Sequence, residues 1–161
     1  MATKNIVPRA DGEGSLGTTA KCWGNVRADN IGNDTLSAPV VDVLTSLVGT
    51  IIDGGGSAIT TGVKAYVTVP WACTITKVEL FADQTGSIVI DIWKDTYANF
   101  PPLVADTITA AAKPTISSGV KDTDSTLTGW TTALAAGDVL AFNVDSVTDI
   151  TRLSVLLTVV R

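Results

Sequence analysis

The sequence predicts an all-β protein: an antiparallel β-sandwich or jelly-roll-like domain preceded by an extended N-terminal arm. The composition is the first reason, since 45% of the 161 residues are hydrophobic and only 17% are charged. That is enough apolar material for a core, and the abundant Thr and Val fit a pleated surface. Periodicity and turn signals are the other two reasons. Nothing in the second half alternates strand with helix, which disfavours a parallel α/β sheet.

Apolar side chains recur at every second position from residue 63 onward, the period of a half-buried strand. Turn signals at 83–86, 99–102 and 135–138 separate these runs, as in an antiparallel sandwich. The residues predicted to face the core are Val63, Ala65, Val67, Val69, Ile88, Ile90, Ile92, Leu140, Phe142, Val144, Leu153, Val155, Leu157 and Val159. The polar stretch 97–130 is expected to form loops with one or two short strands, and Trp130 is expected to anchor its return to the core.

Three regions follow from the composition along the chain. Residues 1–36 carry Pro8, several glycines and scattered apolar positions, so they are predicted to form an extended arm without a core of its own. Residues 37–56 are predicted to form a short helix or strand and a glycine-rich hinge, and 57–161 the β-sandwich domain. Within the middle region, 38–49 has apolar residues at helical spacing, whereas its β-branched content favours a strand.

No histidine is present, which removes the commonest general base and most zinc sites. Two carboxylate pairs remain as candidates for hydrolysis, Asp91 with Asp95 and Glu79 with Asp83. Neither pair has a special context, and Asp91 is predicted to be a solvated residue on the strand face opposite the isoleucines. We therefore expect a protein without enzymatic activity.

Asp122 and Asp124 form an i, i+2 pair that fits a polar loop better than a Ca²⁺ site. Their spacing alone does not define a coordination shell. We therefore expect neither a metal nor a cofactor.

Four aromatic residues of the β-domain are the remaining candidates for recognition: Trp71, Trp93, Tyr97 and Phe100. Aromatic side chains of a sandwich can belong to the core, line a subunit interface or stack on a sugar. The sequence leaves these three alternatives open.

The net charge of −5 provides no electrostatic attraction for nucleic acid. No segment has the pattern of a signal peptide or a membrane span. Cys22 and Cys73 are too few for a disulfide framework and are expected to be free thiols. We expect neither a nucleic-acid partner nor a membrane partner, and synthesis in a cytoplasm.

The stretch NIVPRADGEGSLGTTAKCWGNVRADNI resembles an element of tail fibres, spikes and other surface proteins of tailed bacteriophages. That element has the pattern P-R-x-D-x-E-G-x-L-G followed by a basic–aromatic pair. The pattern matches at Pro8, Arg9, Asp11, Glu13, Gly14, Leu16, Gly17, Lys21 and Trp23, whereas Cys22 and Arg27 depart from it. The segments beginning at VKAYVTVPW and LTGWTTALAAGD are similar to a module of phage and prophage virion proteins.

The resemblance implies a homotrimeric structural protein on the surface of a phage particle. It implies that the arm contacts the neighbouring chains, the major capsid protein or another virion protein. The residues expected at this attachment or trimer interface are Pro8, Arg9, Leu16, Trp23, Val26 and Ile31. A protein that decorates or cements the capsid is favoured by the short chain, and the alternative is the tip of a tail fibre that recognises a host glycan.

Overall fold

The computed structural model describes residues 17–18, 21–22 and 45–161 and confirms an all-β fold. The chain divides into two compact units, 1–40 and 41–161. In the first unit, the two-residue strands β1 (Gly17–Thr18) and β2 (Lys21–Cys22) pair in antiparallel fashion. The second unit contains the β-domain.

The β-domain consists of one curled antiparallel sheet. Two short 3₁₀ helices, Tyr97–Asn99 and Val104–Asp106, lie in the segment that follows the longest strand of the sheet. The strands are β3 (Thr45–Asp53), β4 (Gly62–Thr68), β5 (Cys73–Thr96), β6 (Thr115–Asp124), β7 (Ala133–Leu134), β8 (Asp138–Thr148) and β9 (Arg152–Val160).

Strand β5 organises the sheet because it is 24 residues long and takes part in both halves of the fold. Residues 74–82 of β5 pair with β9, and residues 87–96 pair with β8. Strand β6 pairs with the opposite edge of β5 in both halves of the sheet. Strand β3 pairs with β9 and β4 pairs with β8. The first half therefore has the order β3–β9–β5–β6, and the second half has the order β4–β8–β5–β6.

The core forms one cluster with members from both halves of the sheet. The predicted alternation is confirmed on β5, β8 and β9, where the inward-facing apolar residues are fully or almost fully buried. Ala65 and Val67 pack against the same cluster, and a register shift between Val63 and Ala65 interrupts the pattern of β4. Trp130 is buried as expected, and its indole N–H donates to the Ala112 carbonyl at 2.8 Å.

The predicted turn at 83–86 is wrong, because β5 continues through it as a bent strand. The connection between β8 and β9 passes beside residues 83–86 of β5. The chain therefore changes from one half of the sheet to the other in β8 and β9, while β5 runs through both halves without reversing. A Cβ on Gly86 would lie 2.3 Å from the Thr148 carbonyl oxygen, so only glycine permits this close approach. The Asp83 carboxylate accepts hydrogen bonds from the backbone N–H groups of Thr151 and Arg152.

The helix considered for 38–49 is wrong over 45–49, since β3 begins at Thr45; residues 38–44 lie outside the described part of the chain. Leu47 and Val48, which the helical spacing placed on one face, lie on opposite faces of β3, since Val48 is buried and Leu47 is exposed. Pairing along β9 decides between the two local alternatives.

The predicted start of the β-domain at residue 57 needs correction, because β3 pairs with β9 in the same sheet. Gly54–Gly56 lie in a tight turn in which the Gly54 N–H donates to the Thr151 carbonyl at 2.8 Å. The β-domain therefore starts before residue 57. Within the described residues, no helix has the length and apolar character needed to cross a membrane.

Candidate functional site

The outward face of the β4–β8–β5 half is covered by a second layer. Val139 and Ala141 on β8 are buried, yet neither belongs to the core cluster. They lie in line with β5 residues that also face outward, since Ala141 pairs with Trp93 and Val139 with Asp95. The segment 97–113 follows β5 and supplies side chains to this face. The site is built where this segment meets the sheet.

Asp91 lies at the centre of a polar cluster on this face, and the prediction that it is solvated is wrong. Its exposed fraction is 1%. The hydroxyls of Thr107 and Thr109 donate to its Oδ1 at 2.6 and 2.7 Å, and Lys113 Nζ lies 2.9 Å from Oδ2. Lys113 also pairs with Asp145 at 2.6 Å. All the groups that bury and neutralise Asp91 come from other parts of the chain.

The electrostatics keep this carboxylate ionised. Burial raises the pKa of Asp91, but the contacts with Thr107, Thr109 and Lys113 outweigh it and hold the pKa below its ordinary value. The Trp93 indole nitrogen is itself buried and completes no regular hydrogen bond among the described residues. Hydrogen bonds to Asp145 and Asp91 raise the pKa of Lys113. A general acid or base needs a pKa near the working pH, and both pKa values are shifted away from it. The ion pair between Asp91 and Lys113 is therefore better suited to holding the segment 97–113 against the sheet.

Neither candidate carboxylate pair is assembled as a pair. Asp91 and Asp95 are four residues apart on one strand, a separation of about 13 Å. Asp95 instead accepts from the Asn99 side chain at 3.1 Å. Glu79 forms an ion pair with Lys77 at 2.9 Å, whereas Asp83 binds the β8–β9 connection.

The aromatic residues of the site come from two strands and the loop after β5. Phe100 forms an edge-to-face pair with Tyr66 of β4, with ring centroids 4.8 Å apart and an interplanar angle of 64°. Because β8 lies between β4 and β5, this pair reaches across Ala141. Tyr97 begins the 3₁₀ helix that ends just before Phe100, and 80% of its surface is exposed. We call Tyr66, Tyr97 and Phe100 the aromatic platform.

The four aromatic candidates are divided by the structure. Tyr97 and Phe100 belong to the platform, and Trp93 is partly buried on the same face of the sheet. Trp71 packs against the core instead. Tyr66 was missed by the sequence reasoning, although it stood on the predicted polar face of its strand between Lys64 and Thr68. An aromatic residue at a position predicted to face solvent was the available signal.

A second apolar surface lies on the outward face of the β3–β9–β5 half. Leu47, Ile51 and Phe81 are 60%, 64% and 43% exposed. Ile51 and Phe81 line an open groove of about 590 Å³ together with Gly49 and Leu156. Leu47 lies two residues before Gly49 on the same face of β3. A Cβ on Gly49 would clash with the Val155 carbonyl oxygen and would lie 2.9 Å from the Leu156 side chain, so the close approach of β9 requires glycine here. We call this surface the aliphatic groove.

Other candidate positions have structural contacts or lie outside the described part. Asp124 Oδ1 accepts from the backbone N–H groups of Thr126 and Leu127, and the described residues contain no cluster of three or more potential metal ligands that includes it. Cys73 is a buried free thiol whose pKa is raised by burial and by Asp138. The arm candidates Pro8, Arg9, Leu16, Trp23, Val26 and Ile31, and the side chain of Cys22, lie outside what is described.

No protein-family model matches the chain. No curated protein matches it either.

Proposed function

We propose that the chain is a non-enzymatic structural protein on the surface of a tailed-bacteriophage particle. In this proposal it forms a homotrimer that decorates or cements the capsid, and residues 1–36 attach it. The resemblance of the arm and of the β-domain to phage virion proteins motivates the proposal. The observation that supports it best is the aliphatic groove.

The groove is suited to contact with protein. Leu47 and Ile51 expose most of their surface on the same face of β3, on either side of Gly49. Burying apolar surface contributes about 25 cal/mol per Å², so such a face gains free energy when another chain or a shell covers it. Strand β3 is also the first strand of the β-domain, and residues 37–44 separate it from the segment to which we assign attachment.

Particles lacking this protein are the acceptor with which to test the proposal. We expect the full chain to bind them and a chain beginning at residue 45 to remain folded but unbound. Light scattering should give a trimer for the full chain, and Ile51→Ser should weaken the trimer or the binding. Thr68→Ser, on an exposed position of the other half, is the control. Normal incorporation of the truncated chain would contradict the role of the arm.

A second candidate function is the tip of a tail fibre that recognises a glycan on the host surface. The aromatic platform favours it, because exposed rings on a supported loop are suited to stacking on sugars. The number of copies on each particle separates the two functions. A cement protein covers the head in many copies, whereas a fibre tip is present in few.

A further inference from the structure

We infer that the aromatic platform, together with Asp95 and Asn99, is a binding site for glycans built from uncharged hexopyranoses. This deepens the second candidate function and rests on it for its biological setting. The binding itself is a property of the β-domain and can be measured without a particle.

The three rings offer exposed aromatic surface close together in the fold, two of them in contact and the third three residues before Phe100. Phe100 and Tyr66 are about half exposed although they contact each other edge to face, so ring surface stays open to solvent. Tyr97 adds a third, largely exposed ring on the same turn. The C–H groups of a pyranose can pack against such rings through dispersion and weak C–H···π contacts. The phenolic hydroxyls of both tyrosines can also donate to and accept from sugar hydroxyls.

Polar groups beside the rings are held in place. Asp95 Oδ1 accepts from the Thr96 backbone N–H at 2.7 Å and from Asn99 Nδ2 at 3.1 Å. Both of these hydrogen bonds use Oδ1, which leaves Oδ2 to accept from a sugar hydroxyl. The Asn99 side-chain oxygen is a second acceptor. A few fixed polar groups next to an apolar surface are typical of small-ligand sites.

The charge of the segment selects uncharged sugars. Residues 95–106 contain two carboxylates, Asp95 and Asp106, and no lysine or arginine. Sugars that carry carboxylate, sulfate or phosphate would meet like charge at Asp95 and Asp106. The cation on the strand of Tyr66 is Lys64, whose Nζ donates to the Thr60 hydroxyl at 2.7 Å. Neutral hexopyranoses offer only hydroxyls and C–H groups, which match the acceptors and the rings.

The loop that carries Tyr97 and Phe100 is held to the rest of the domain by hydrogen bonds, so it can present the two rings in a fixed position. The Ile108 N–H donates to the Ile92 carbonyl at 2.8 Å, and the Thr131 N–H donates to the Ile108 carbonyl. Asp106 accepts from the Leu103 N–H at 2.7 Å. Rings presented on a supported loop lose little conformational freedom when a ligand binds.

The composition of the two exposed apolar surfaces distinguishes their occupants. The aliphatic groove combines Leu47 and Ile51 with the single ring of Phe81, and none of the residues that line it carries a carboxylate or an amide side chain, as expected for contact with protein. The platform has aromatic rings next to a carboxylate and an amide. Leu103 and Val104 are also exposed on the platform loop, so self-association through this loop is the competing occupant that an experiment must exclude.

The test measures binding of named trisaccharides to the full-length protein by saturation-transfer NMR. Cellotriose, maltotriose and triacetylchitotriose are the uncharged probes, and sialyllactose is the acidic probe. The variants are Phe100→Ala and Tyr97→Ala. Phe81→Ala is the matched control, because Phe81 has a similar exposure on the other half of the sheet. Circular dichroism checks that each variant is folded, and light scattering checks its oligomeric state.

We expect at least one uncharged trisaccharide to bind with a dissociation constant of about 10 mM or lower. Phe100→Ala should weaken that binding about tenfold, the value of one aromatic contact, and Phe81→Ala should leave it unchanged. Absence of binding by all three uncharged probes would overturn the inference. So would preference for sialyllactose, equal loss in Phe81→Ala, or dissociation of the oligomer by the platform variants. Sugar binding by a protein found in many copies on the head would support the inference and refute the fibre-tip function.

Discussion

Asp91 is the residue on which the outer layer of the fold depends. A buried carboxylate is costly unless hydrogen bonds and an opposite charge compensate for its lost hydration. Thr107, Thr109 and Lys113 provide both, and all three belong to the segment that returns from the aromatic platform. The same contacts therefore satisfy the buried charge and fix the position of that segment.

Asp91→Asn should destabilise the protein by about 2 kcal/mol, because hydrogen bonds to a buried charged acceptor are each worth about 1.5–3 kcal/mol. Chemical denaturation measures the change. Asp145→Asn is the matched control: it removes a carboxylate that binds the same lysine at an exposed position, and should cost less than about 1 kcal/mol. Equal costs for the two variants would contradict the assignment of Asp91 as the buried centre of the cluster.

The burial of Asp91 could not be predicted from its neighbours in sequence. Its strand alternates, and the face opposite Ile90 and Ile92 was correctly identified as outward. The residues that cover Asp91 on that face lie 16 to 22 positions later in the chain, from Thr107 to Lys113, in a stretch without strand or helix periodicity. Tyr66 and Phe100 are separated by still more of the chain, so their pairing also depends on tertiary structure.

At the scale of elements, strands whose residues alternate between apolar and polar were predictable from the sequence. A strand whose pattern also fits a helix was not, because its pairing with another strand decides the conformation. The alternation in β8 and β9 fixed their inward faces directly. Strand β3 was ambiguous because Val40, Val41, Leu44, Leu47 and Val48 fit helical spacing as well as they fit a buried strand. Pairing with β9 stabilises the extended form. The sequence prediction split the long β5 into two strands at 83–86, because DQTG has the composition of a turn. In the structure these residues bend the strand without reversing the chain.

A chain of residues 45–161 should fold alone, whereas a chain of residues 57–161 should be destabilised or insoluble. The shorter chain lacks Val48 and Ile52, whose burial contributes at least about 3 kcal/mol, and it exposes the edge of β9. Circular dichroism melts of the two chains test this. Equal cooperative melts would show that β3 is dispensable and would restore a boundary at the glycine turn.

At the scale of the whole β-domain, the carboxylates of Asp83 and Asp53 bind the connection between β8 and β9 at the place where the two halves of the sheet meet. There β5 bends at Asp83, the β8–β9 connection supplies Thr151 and Arg152, and Arg152 reaches Asp53 at the end of β3 at 2.9 Å. Three segments are thus joined where each passes from one half to the other. Asp53 also binds the N–H of Gly55 and so holds the turn toward β4.

Acid should weaken this junction before it affects the apolar core. The hydrogen bonds from Thr151 and Arg152 lower the pKa of Asp83, and those from Gly55 and Arg152 lower the pKa of Asp53. The pKa of Asp91 is lowered too. A carboxyl group with a lowered pKa in the folded state stabilises the protein fully above its unfolded pKa, and the contribution is lost as the pH falls through the folded value.

The unfolding free energy should therefore be insensitive to the state of these groups above about pH 5 and should decrease as the pH falls below the ordinary aspartate value of 3.8. Urea denaturation at a series of pH values measures this slope. Asp83→Asn should give a lower plateau and a shallower acid slope, because one of the three groups no longer titrates. Asp91→Asn should do the same independently, since its contacts are separate from those of the junction. An acid slope that is unchanged in both variants would assign the acid sensitivity to other carboxylates and would remove the junction from the determinants of stability.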